Sequence, residues 1–129
     1  LASILTEREF TTPRELLQVV GTDFLRCYDP DIHVNAALSG IDPKKVAIVT
    51  DIRFQNELDI IKNMNKSSIV YIERPKCVEE LLKEDKPHVS ELGVLNLKQD
   101  SNKVIRNDSS IKEFERAVKY VIKQIVADK

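Results

Sequence analysis

The chain has 129 residues, 42% of them apolar and 32% charged, with 20 Lys and Arg against 21 Asp and Glu. That length and apolar share fit one domain with a real core. The near-cancelled charge excludes a disordered acidic tail and the broad basic footprint of a protein that binds nucleic-acid polymers, so any bound anion must be held by a few placed cations.

Residues 1–10 show no clear period. Thr12-Pro13-Arg14-Glu15 then reads as a helix start, with Thr12 as cap, Pro13 at the first helical position and Glu15 completing a capping box. Leu16, Leu17, Val19 and Val20 follow as its buried face, and Gly21 interrupts. Asp29-Pro30-Asp31 marks a new start, and Ile32, Val34, Ala37 and Leu38 predict a second short helix. After a polar turn, the β-branched run Val46-Ala47-Ile48-Val49 predicts a strand buried on both faces, ending in Thr50-Asp51. Leu58, Ile61 and Met64 have helical spacing. Ser68 to Ile72 predicts a second strand, stopped by Arg74-Pro75. Lys76 to Asp100 is charged and reads as irregular, with one short helix near Val78–Lys83. Lys103 to Arg106 predicts a third strand. Ser110 and Glu113 form another capping pair, before a long helix with Phe114, Ala117, Val118, Val121, Ile122 and Ile125 on one face. This order predicts an α/β class with a mainly parallel sheet and flanking helices, in a single domain over 1–129.

Ligands of such sheets bind beyond the carboxyl ends of the strands, so the residues just past each strand carry the chemistry. Past the first lie Asp51, Arg53 and Glu57. A carboxylate ending a buried strand suits phosphate-transfer chemistry, and a guanidinium suits a phosphate through its two-pronged geometry. A helical Arg–Glu pair and a capping Asp account for the same residues equally well. Past the second strand, Arg74 is either a phosphate contact or an ordinary surface Arg. Past the third, Asn107 and Asp108 are either base contacts or a turn and cap. His33 and His88 have no metal-ligand spacing, and His88-Val89-Ser90-Glu91 is too local to be a hydrolase triad. Cys27 and Cys77 accompany no CxxC and no Cys/His cluster, which speaks against zinc and disulfides and for a reduced compartment. No apolar run reaches the length of a membrane span and no signal peptide is visible, so no membrane partner is expected. The three glycines, Gly21, Gly40 and Gly93, fit no GxxxxGK[ST] pattern, so these residues build no phosphate-binding loop. The first residue is Leu1 rather than Met, which raises the expectation of a fragment or processed piece.

Six segments, in order, resemble one family. They are Thr12 to Asp23, with its Gly21-Thr22-Asp23; Asp29 to Asn35; Ile48 to Glu57, with its Asp51-Ile52-Arg53; Ile72 to Pro75; His88 to Glu91; and Val104 to Ser109. Together they are similar to bacteriophage-type deoxynucleoside monophosphate kinases over nearly the whole chain from Thr11 on. The resemblance implies a P-loop kinase fold whose first strand and phosphate loop lie upstream of these segments and are missing from the chain. It implies ATP-dependent phosphorylation of a deoxynucleoside monophosphate, with ATP and Mg2+ required and a cytoplasmic setting, that of the host if the gene is a phage's. It places Arg14, Gly21, Thr22, His33, Asp51, Arg53 and Glu57 around the acceptor, with Arg53 on its phosphate and Asp51 and Glu57 fixing the acceptor and orienting Arg53. Arg53 and Asp51 are the expected catalytic residues. Arg74, Asn107 and Asp108 fall on the ATP side, and the irregular segment 76–100 is lid-like. His33 stands where the family often carries Trp.

The expectation is therefore a nucleotide kinase for which this chain supplies the acceptor site and is inactive alone. Its expected partners are a deoxynucleoside monophosphate and either a second copy or a chain bearing the phosphate loop. The alternatives are a non-catalytic nucleotide-binding or interaction module and a small-molecule kinase similar to animal-type phosphomevalonate kinase.

Overall fold

A computed structural model describes residues 11–127; the unpatterned residues 1–10 lie outside them. The chain divides into two compact units after Ile52.

The first unit is helical. Helix α1 (Pro13–Gln18) starts as its sequence dictates: the Thr12 hydroxyl accepts from the Glu15 N–H at 3.1 Å, and Pro13 needs no donor at the first position. The Glu15 carboxylate completes the cap one residue earlier than expected, on the Thr11 N–H at 3.1 Å. A π-helical segment, Val19–Phe24, follows directly, so Gly21 widens the helix rather than ending it; the Leu25 N–H reaches back to the Val20 carbonyl. Helices α2 (Leu25–Tyr28) and α3 (Ile32–Ser39) complete the unit. Of the apolar face expected on α1, only Val19 is buried, with Val34 of α3, while Leu17 is 72% exposed.

The run 46–49 is not a strand. Parallel strands are stable through the ladder they share with a neighbour, and no strand lies beside this run among the described residues. Val46 and Ile48 are accordingly 95% and 82% exposed, not buried on both faces.

The second unit holds a two-stranded parallel sheet, β1 (Val70–Glu73) beside β2 (Lys103–Arg106), in a register that pairs Glu73 with Arg106. These are the two later predicted strands. Helix α4 (Gln55–Lys62) precedes the sheet and presents Leu58 and Ile61 to the core, which Ile69, Leu97, Ile105 and Val121 complete. The stretch from Lys76 to Asp100, read as irregular, is largely ordered by hydrogen bonds: α5 (Pro75–Leu81), α6 (Val89–Asn96) and a 3-10 turn, Leu97–Asp100, make up the crossover between the strands. Leu97 and Ser90 are buried in that crossover. Helix α7 (Ile111–Ala127) begins on the expected pair, with the Ser110 N–H donating to Glu113 at 3.1 Å. It buries Val121 and leaves Ile122 exposed. The chain is thus a mixed helical and parallel-sheet structure, compatible with the α/β class.

Candidate functional site

Arg53 stands just before α4, and Glu57 fixes the backbone there. One Glu57 carboxylate oxygen accepts from the Arg53 N–H at 3.0 Å and the Phe54 N–H at 3.2 Å. Glu57 is buried in the first turn, where helix amides point outward unpaired and favour negative charge. The four-residue spacing of Arg53 and Glu57 therefore pins the main chain that carries the guanidinium.

Helix α6 approaches the same residue. A Cβ on Gly93 would lie 2.7 Å from the Arg53 carbonyl oxygen, nearer than real Cβ atoms come to backbone, so only glycine admits this packing. One turn earlier on α6, the Ser90 hydroxyl lies 3.5 Å from Arg53 Nη1, at the long end of hydrogen bonding. Ser90 is 2% exposed. His88 caps α6: its Nδ1 accepts from the Ser90 N–H at 3.3 Å and lies 2.8 Å from the Ser90 hydroxyl. A backbone N–H can only donate, so Nδ1 is the unprotonated nitrogen and the Ser90 hydroxyl donates to it. A lone glycine in the apolar stretch Leu92-Gly93-Val94-Leu95 signals close backbone approach. Ser90 is 37 positions from Arg53, and no spacing rule joins them.

The carboxyl end of the sheet gathers the residues expected near ATP. Because Glu73 pairs with Arg106, Arg74 and Asn107 leave adjacent strands at the same edge. The Asn107 N–H extends the ladder by donating to the Glu73 carbonyl at 2.7 Å. Arg74 is exposed at the start of α5. Asp108 is ion-paired with Arg106, and Glu73 with Lys98. Burial first, and then the Glu73 carboxylate, hold the Tyr71 phenol above its ordinary value.

In the first unit, Arg14 is exposed in the opening turn of α1, and Gly21 and Thr22 lie in the π-helical segment. His33 Nε2 donates to the Gly21 carbonyl at 2.8 Å, which joins two residues 12 apart in sequence. Asp51 holds φ at 67°, the left-handed region that L-residues avoid and Asp tolerates better than most. Such outliers concentrate at functional sites.

Among the described residues no group of three or more His, Cys, Asp or Glu side chains gathers to hold a metal ion, and no glycine adopts a positive φ. Cys27 and Cys77 are both free and exposed. No described helix is long and apolar enough to cross a membrane.

Comparison with known proteins adds the family. The family model for deoxynucleotide monophosphate kinase matches residues 2–118. The chain belongs to that family. A protein of Acanthamoeba polyphaga mimivirus named "Putative deoxynucleotide monophosphate kinase" is 33% identical over 117 residues, covering 80% of this chain and 57% of the viral protein. The chain thus spans little more than half the length of that relative. No solved structure matches the chain.

Proposed function

We propose that this chain carries the acceptor side of a deoxynucleoside monophosphate kinase, with Arg53 holding the acceptor's 5′-phosphate. The observation that carries the reading is the anchoring of Arg53. A cation suited to bidentate phosphate binding stands on a backbone pinned by the buried Glu57 carboxylate, against a helix that only glycine lets so close. Membership in the kinase family supplies the reaction class.

In that reaction an oxygen of the acceptor phosphate attacks the terminal phosphorus of ATP, the bond from that phosphorus to the bridging oxygen breaks, ADP leaves, and the acceptor departs as the diphosphate. Arg53 neutralises the acceptor phosphate, which lowers the repulsion between two anionic reactants and fixes the attacking oxygen. Glu57, whose carboxylate holds the Arg53 N–H, orients Arg53. Arg74 and Asn107, on one sheet edge, serve the nucleotide donor. The sequence carries no phosphate-loop pattern, so we place the triphosphate's binding elsewhere and expect this chain alone to transfer no phosphoryl group.

Calorimetric titration with dGMP, dTMP, dCMP, dAMP and phosphomevalonate tests the reading. Saturable binding of at least one deoxynucleotide, lost in Arg53→Ala, is the expected result. Equal affinity in the variant would remove Arg53 from the site. Binding of phosphomevalonate alone would move the chain to a small-molecule kinase.

A further inference from the structure

We propose that Ser90, backed by His88, is a positioning residue for Arg53. The inference rests on the reading that Arg53 holds the acceptor phosphate, and it assigns a task to the His88-Val89-Ser90-Glu91 segment.

Hydrogen-bond polarity sets the direction of the contact. Nδ1 of His88 accepts from the Ser90 N–H, so it holds no proton there. The Ser90 hydroxyl therefore spends its single hydrogen on Nδ1, at 2.8 Å. Its lone pairs then face other donors, and Arg53 Nη1 is the donor 3.5 Å away. The relay runs in one direction, from Arg53 to Ser90 to His88. With only an acceptor's role left to it, the hydroxyl suits a guanidinium, which can only donate.

Burial points the same way. Ser90 is 2% exposed, and a hydroxyl at such depth contributes little to stability beyond cancelling its own desolvation. An alanine would fill the same place on α6 without that cost, while the backbone N–H at position 90 still capped on His88. What an alanine loses is the acceptor facing Arg53. The helix itself is held in reach of Arg53 by Gly93, whose missing side chain permits contact with the Arg53 carbonyl. Backbone and guanidinium of Arg53 thus rest on the same helix, one turn apart. The length of the Nη1 contact makes Ser90 a restraint rather than a clamp.

A long side chain ordered before the ligand arrives binds more tightly, because less freedom is lost on binding. Removing the restraint should weaken phosphate binding by about two- to tenfold. The readout is the affinity for a deoxynucleoside monophosphate divided by that for the parent deoxynucleoside, by calorimetry on the 129-residue chain. Ser90→Ala should lower this ratio and leave deoxynucleoside affinity and thermal midpoint nearly unchanged. Arg53→Ala should lower it further, and adding Ser90→Ala to Arg53→Ala should change nothing more. A purely structural Ser90 would move both affinities together with the midpoint, and that result overturns the proposal. So does a ratio unchanged in Ser90→Ala while Arg53→Ala abolishes it. If Arg53→Ala leaves the ratio intact, the acceptor-phosphate reading is the one that fails. The restraint is then judged without ligand, by NMR relaxation of the Arg53 Nε–Hε group. Faster side-chain motion in Ser90→Ala supports positioning, and identical motion refutes it.

Discussion

Replacing Gly93 by alanine sets two terms of opposite sign against each other. Inside an unobstructed helix, alanine is more favourable than glycine by about 1 kcal/mol, because glycine loses more backbone freedom on folding. On α6, the new Cβ would lie 2.7 Å from the Arg53 carbonyl oxygen. Carbon–oxygen contacts settle at roughly 3.3 Å or more, so the helix or the Arg53 backbone must give way by roughly 0.6 Å. That obstacle is main chain, already tied by the Arg53 and Phe54 amides to Glu57, and it cannot swing aside as a side-chain tip would. Overpacking of this kind costs about 1–3 kcal/mol. The net expectation for Gly93→Ala is a loss of up to about 2 kcal/mol, seen in urea as a lower midpoint. Gly21 is the internal control: it too is helical, and beyond its chain neighbours and its own helix backbone no described atom lies within 4 Å of its would-be Cβ. Gly21→Ala should raise the midpoint by helix propensity alone. A rise in both variants would refute the close packing of α6 on Arg53.

Other substitutions probe the remaining contacts. Glu57→Ala leaves the Arg53 and Phe54 amides without their carboxylate, and should cost about 1–3 kcal/mol in urea unfolding, with Glu57→Gln recovering part; an unchanged midpoint in Glu57→Ala would contradict its anchoring role. At Asp51, where φ is 67°, glycine should be more stable than alanine by about 1 kcal/mol, the reverse of the usual order; equal or inverted stabilities would argue against the left-handed backbone. Asp100 accepts from the Lys62 ammonium at 2.8 Å, which holds its carboxyl below the ordinary carboxylate value. A depressed folded-state value means the stabilisation is fully present above the unfolded value near ~4 and lost as pH falls through the lower folded value. The acid limb of the stability profile should therefore be shallower in Asp100→Asn, and superimposable profiles would refute the pairing. Leu58→Ala, at a nearly inaccessible position, should cost about 2–5 kcal/mol by thermal or urea unfolding, and a smaller loss would mean the second unit's core lies elsewhere.

Local rules read well where the cause is local. Thr12 with Pro13, and Ser110 with Glu113, start helices because caps are satisfied within a few residues. The periodicity of Leu58 and Ile61 marks a helix face, and both later strands lie where β-branched runs place them. The failures have non-local causes. Val46 to Val49 has the composition of a buried strand, but a strand exists only through a partner, and none of the described residues supplies one. Gly21 looks like an interruption, yet the wider π-helical turn absorbs it. The stretch 76–100 hides α6 because its cap is a histidine rather than Ser, Thr, Asp or Asn. Arg53, Asp51 and Glu57 stand out from their chemistry and spacing. Ser90 and Gly93 do not, because what matters about them is their distance from Arg53 in space.

Arg53 is proposed to hold the phosphate of a deoxynucleoside monophosphate. Phosphorus-31 NMR of that phosphate, with the chain added stepwise, tests this role most directly. The resonance should shift to saturation with the native chain and stay in place with Arg53→Ala. A shift of the same size with both proteins would contradict it.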